Sequence, residues 1–145
     1  MSTSPAHLRL VGAGGEPVDL ARTLASHGFA DLPPLLLDED ARTLEVTFPF
    51  GRSARTLRVS PGRRGYAAVE PIGRALGRDR DQVLSVVAHV LRLDEDLSEF
   101  YEAAADDPDL AWVTVGAGRM LRSPTVFEDV VKTICTTRRP PSPAR

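Results

Sequence analysis

The densest run of chemistry-bearing groups lies at residues 116–124, GAGRMLRSP. Gly116 and Gly118 let the backbone approach a ligand closely, and Arg119 and Arg122 supply two guanidinium forks. Ser123-Pro124 then reads as a cap and first-turn proline opening a helix. Free backbone N–H groups, the positive end of a helix dipole and two arginines in one loop suit an anion, and a DNA phosphate is one that fits. The phosphate-contact candidates are therefore Gly118, Arg119, Arg122 and Ser123. The same residues also make an ordinary capped loop, and spacing alone leaves both readings open.

Other reactive groups combine less well. Asp94, Glu95, Asp96 and Glu99 could furnish an acid/base pair or oxygen ligands. They also stand where a helix should start, with Asp96 and Glu99 at capping-box spacing, which favours a capping role. Asp106, Asp107 and Asp109 lack the glycine and the closing glutamate of a calcium loop. His7, His27 and His89 are isolated, so no metal-ligand spacing exists, and no metal or other cofactor is expected. Cys135 falls on an apolar stripe and reads as an inert buried thiol. As the one cysteine it excludes an internal disulfide and fits a reducing, cytoplasmic setting. No serine or cysteine has a His/Asp partner at a motif spacing, so no catalytic residue is assigned.

Charge is distributed unevenly. The net charge is −2, so no overall basic field points to nucleic acid. Yet residues 51–80 hold eight arginines against Glu70 and Asp79, and residues 81–110 hold nine carboxylates against Arg92. Arg52, Arg55, Arg58, Arg63 and Arg64 could form a phosphate patch. Lys132 is the only lysine, so a general bias toward arginine explains the same residues as a solvated face. No aromatic interleaving of the kind a single-strand binder needs is present.

The elements that must position these groups follow from periodicity. Residues 1–16 read as a flexible leader, whose Gly12, Gly14 and Gly15 lack the Gly-Lys-Ser/Thr of a phosphate loop. Asp19 caps a short helix with Leu20, Leu24 and His27 at helical spacing, and Gly28 suits its end. Pro33-Pro34 sends the chain into extended structure. Thr43–Phe50 alternates, with Leu44, Val46, Phe48 and Phe50 on one face. Arg55–Ser60 and Tyr66–Glu70 complete an antiparallel meander with an arginine-decorated outer face. Helices are predicted over Asp81–Leu93, Asp96–Ala105 and Thr125–Thr136, the last burying Val126, Phe127, Val130, Val131 and Ile134. RRPPSPAR at 138–145 reads as a disordered tail. Helix, antiparallel strands, then helices make an α+β fold. A length of 145 residues allows one domain with tails, and neither a secretory signal nor a membrane-spanning segment is visible.

Residues 91–137, LRLDEDLSEFYEAAADDPDLAWVTVGAGRMLRSPTVFEDVVKTICTT, resemble the N-terminal half of helix–hairpin–helix DNA glycosylases, the 3-methyladenine and 8-oxoguanine group. SHGFADLPP at 26–34 and the meander at 43–70 resemble that group's N-terminal sheet domain. The resemblance implies a sheet domain over 17–78, followed over 79–137 by the opening helices of an all-α domain. It also implies a role in base-excision repair, with double-stranded DNA as partner. Such enzymes flip a damaged base out of the duplex and cleave its glycosidic bond. The pattern departs after Thr136-Thr137. The family continues with an asparagine and a tryptophan-containing helix, whereas Arg138 stands here. The helix–hairpin–helix, its phosphate-gripping hairpin and the catalytic aspartate with its optional lysine have no counterpart, so no catalytic residue carries over. The expectation is a truncated or frameshifted, catalytically incomplete chain. The alternative is a non-catalytic DNA- or protein-binding module, one half of a split glycosylase whose partner supplies the catalytic half.

Overall fold

A computed structural model describes residues 5–26 and 32–137. His27, Gly28, Phe29 and the tail beginning at Arg138 lie outside the described residues. Five strands form one antiparallel sheet: β1 (Ala6–Arg9), β2 (Leu35–Asp38), β3 (Thr43–Phe50), β4 (Ser53–Pro61) and β5 (Tyr66–Ile72), in the order β1-β5-β4-β3-β2. Four α-helices accompany it: α1 (Leu20–Leu24), α2 (Arg80–Val90), α3 (Ser98–Ala105) and α4 (Val126–Thr137). The fold is α+β, as the order of periodicities requires.

Alternation decides which face of the sheet is buried. Leu44, Val46 and Phe48 of β3 meet Val59, Leu57 and Arg55 of β4 across the ladder, and all six side chains are buried. Thr43, Glu45 and Thr47 fall on the other face, with Thr56 and Arg58 opposite. α2 lays Val83, Val87 and Val90 against the apolar face, and Leu20 and Leu24 of α1 join the same core. Each such side chain contributes roughly 1.5–3 kcal/mol when fully withdrawn from water. Ala104, Val113 and Ala117 form a second, smaller core between α3 and the 3-10 turn Ala111–Val115.

Several expectations change. The stretch expected to be a leader contains β1, which pairs with β5 from Ala6↔Val69 to Arg9↔Tyr66. Its four residues were too short to register as a strand in isolation. They pair because β5 offers an open edge and Ala6 and Leu10 add to the core. Asp19 does cap α1, its carboxylate accepting from the Arg22 amide at 3.1 Å, but the helix ends at Leu24. The Asp96…Glu99 capping box does not form. Asp96 Oδ1 instead accepts from the amide and hydroxyl of Ser98 at 2.9 and 2.6 Å, a local turn that competes with the box. Ser123-Pro124 does not open α4 directly, and Thr125 Oγ1 accepts from the Glu128 amide at 3.3 Å.

The largest departure concerns α4. Its apolar stripe was expected to be buried, but Val126 and Phe127 are each 76% exposed, and Val130, Val131 and Ile134 are also exposed. Cys135 is exposed too, which corrects the buried-thiol reading. The 3.6-residue period is real, but it reports only that one face is apolar, not what covers it.

Leu57 is fully buried where β4 crosses the core. Leu57→Ala should therefore cost about 3 kcal/mol, whereas Leu36→Ala, on a half-exposed edge position, should cost under about 1 kcal/mol. Chemical denaturation of the two variants checks this, and equal losses would contradict the assigned register.

Candidate functional site

The loop at 116–125 is built by two glycines and two inward arginines. Gly116 takes φ +114°, and its carbonyl accepts from the Asp19 amide at 3.0 Å, a contact so close that a Cβ would meet the Asp19 backbone. Gly118, at φ +92°, lies against the ring of Phe100, and the Tyr101 hydroxyl donates to the Ala117 carbonyl at 2.5 Å. The loop is thereby held against α3.

Arg119 is turned away from solvent. Its side chain is 0% exposed, and Nη2 donates to the Glu16 carboxylate, which is itself 4% exposed. The same guanidinium donates to the carbonyls of Arg92 and Glu95, the latter at 3.1 Å. Glu16 Oε1 also accepts from the Leu97 amide at 2.9 Å, at the start of α3. A guanidinium so enclosed has no face left for a phosphate, which corrects the expectation for Arg119.

Arg122 is largely enclosed as well. Nη2 donates to Glu95 Oε1, and Nη1 lies 3.3 Å from Asp94 Oδ2 and 3.0 Å from Nδ1 of His89. Ser123 is buried. Its amide donates to Asp129 Oδ1 at 3.1 Å, and its hydroxyl accepts from Lys132 Nζ at 2.9 Å. Burial lowers the Lys132 pKa, with Glu128 and Asp129 opposing, and burial raises that of Glu128. Of the four phosphate candidates only Gly118 is exposed. The loop is thus an internally neutralised junction, and the carboxylates at 94–95 are its counter-ions rather than an acid/base pair.

The meander arginines divide similarly. Arg55 shares the buried parity of Leu57 and donates to Asp79 at 2.8 Å and to the carbonyls of Arg74 and Ala75. Arg58 pairs with Glu45 at 2.7 Å. Arg63 stacks on Tyr66, 4.1 Å from the ring centroid. Arg52 and Arg64 remain exposed. The five arginines therefore do not form one patch. Among the described residues, no three His, Cys, Asp or Glu side chains gather closely enough to hold a metal ion, and no helix is long and apolar enough to cross a membrane.

Glu16 was missed by sequence reasoning. It lies 103 residues from Arg119, and no local spacing links the two. Its only signal was a lone carboxylate closing the GAGGEP run.

No protein-family model and no curated protein matches the sequence. Among solved structures, the chain is similar to a 3-methyladenine DNA glycosylase from Archaeoglobus fulgidus, with a TM-score of 0.68 at 20% identity. The match covers 93% of this chain and 45% of that one, so the chain spans less than half the length of its structural neighbour. The likeness is one of fold, sheet and helices together.

Two outcomes follow from the junction. Removing one member of the buried pair, by Glu16→Leu or Arg119→Met, should cost about 3–5 kcal/mol, because the other charge is left without a partner. The double variant should lose less than the sum, and a strictly additive double-mutant cycle would contradict the pairing. Burial tends to raise the Asp94 pKa, but the His89 hydrogen bond and the Arg122 charge outweigh it, so the carboxyl stays below its ordinary 3.8. A depressed carboxylate stabilises the fold above its unfolded pKa and loses that contribution as pH falls through the folded one. The melting-temperature gap between the native chain and Asp94→Asn should be present at pH 6–7 and shrink as the pH is taken below 3.8.

Proposed function

We propose that this chain is the DNA-engaging N-terminal part of a glycosylase-type repair protein of the helix–hairpin–helix group, carrying the sheet domain and the first helices of the helical domain. The observation that carries the reading is a fold match over nearly the whole chain that ends on an amphipathic helix with its apolar face exposed. α4 then serves as the first wall of a helical core, and its stripe of Val126, Phe127 and Val130 receives the further helices, whether in the same polypeptide or as a complementary catalytic half. No nucleophile, base and orienting partner stand together in the described residues, so the chain by itself binds duplex DNA without cleaving a glycosidic bond. Gly118 stays a candidate for backbone contact with phosphate, as the exposed glycine of the junction loop.

The test uses the purified chain and methylated duplex DNA. Salt-sensitive retention of the duplex without base release supports the reading, while base release above a protein-free control, or no retention at 50 mM salt, overturns it. A second measurement addresses α4. Phe127→Asp with Val130→Asp should suppress concentration-dependent association while changing stability by under about 1 kcal/mol, because both side chains already face solvent. Unfolding of this variant would mean that the stripe is packed within the chain itself.

A further inference from the structure

The arginines of the sheet separate into paired and unpaired groups; of the unpaired ones, Arg42 and Arg52 stand singly in other turns, whereas Arg9, Arg63 and Arg64 lie at one corner. Arg9 of β1 lies directly opposite Tyr66 of β5, on the exposed face of the sheet. Arg63 lies over the Tyr66 ring, and Arg64 follows it in the same turn. All three arginines are exposed. Among the described residues none of the three joins an ion pair, although Arg22, Arg55, Arg58, Arg92, Arg119 and Arg122 all do. Arg74, Arg78 and Arg80 are also exposed, but Asp79 and Asp81 are interspersed with them. The nearest carboxylate along β5 is Glu70, which stands opposite Arg58 in the ladder.

The corner is also preorganised. The Gly62 amide donates to the Tyr66 carbonyl at 3.0 Å, and the Tyr66 amide to the Arg63 carbonyl at 2.8 Å. The Leu10 amide donates to the Gly65 carbonyl at 2.9 Å, fastening the turn to the chain just beyond β1. The cation–π contact with Tyr66 biases where the Arg63 guanidinium sits and leaves its N–H groups able to donate. A guanidinium fork matches two phosphate oxygens, and three guanidinium groups without ion-pair partners suit a polyanion.

We propose that Arg9, Arg63 and Arg64 form a phosphate-backbone contact for duplex DNA, distinct from the junction loop. The proposal rests on the DNA-binding reading above and adds to it the surface that does the binding. A duplex is favoured over a single strand because Arg63 already occupies the face of Tyr66, leaving no ring there for a base to stack on.

Anisotropy of a labelled duplex, titrated with the chain from 50 to 200 mM salt, tests this against the triple variant Arg9→Gln/Arg63→Gln/Arg64→Gln. Losing three phosphate contacts should reduce the slope of log K against log salt by about 2.7, so that the native chain loses about 40-fold more affinity than the variant over that range. Arg52→Gln, at the other end of β4, should leave the slope unchanged. Binding by the triple variant with the native slope would overturn the corner while leaving the DNA-binding reading intact. An equal slope change for Arg52→Gln would overturn it as well, by showing a charge effect without location. Absence of binding by the native chain would overturn both readings together. Thermal melts of all three proteins distinguish lost contact from lost fold.

Discussion

A buried ion pair, Glu16 with Arg119, ties the chain just after β1 to the loop before α4. Between them they also engage the amide of Leu97 and the carbonyls of Arg92 and Glu95. Four segments thus converge on two side chains, and the geometry of each segment depends on both charges being present. Neither charge could be buried alone, since desolvating it would cost several kcal/mol. The glycines nearby follow from this crowding. A Cβ on Gly12 would run into the pair itself, and one on Gly14 into the Asp96 carboxylate. The GAGG run that resembled a mobile or phosphate-binding stretch is instead the backbone that fits over a buried charge.

Ion pairs recur on both sides of this junction. After α2, Asp94 and Glu95 neutralise Arg122 of the following loop. In the sheet, Asp79 and Glu45 neutralise Arg55 and Arg58. What remains uncompensated is therefore informative. One such place is the basic corner at Arg9, Arg63 and Arg64, where charge is left without a partner. Another is the face of α4, where apolar area is left in water. Internal folding accounts for neither.

Much of the fold was legible because its signals are local. The alternation of Leu44, Val46 and Phe48 and the 3.6-residue spacing of Val83, Val87 and Val90 each report a face, and the core uses both faces. The cap at Asp19 reads the same way. What was illegible depends on distant partners. Arg55 and Arg58 are both arginines in one strand, yet parity and a distant Asp79 send one inward and leave the other out. Arg119 and Arg122 carry the right types for an anion site, but sequence spacing cannot show that carboxylates already occupy them. For α4 the pattern was read correctly as amphipathic, and only burial was misassigned, because periodicity says nothing about the neighbour.

The placement of β1 sets the order in which the molecule can be assembled. It is the first strand to be synthesised, yet its partner Val69 lies more than sixty residues downstream of Ala6. Strands β3, β4 and β5 can close as successive hairpins through short turns, whereas β1 must wait for the finished edge of β5. Glu16 must wait longer still, until Arg119 has emerged 103 residues later. The strand can therefore dock at mid-synthesis, whereas the larger loop-closure entropy falls on the later step, the one that also buries a charge. A nascent chain of this sequence carries the Glu16 carboxylate without its arginine until every helix but α4 has been made.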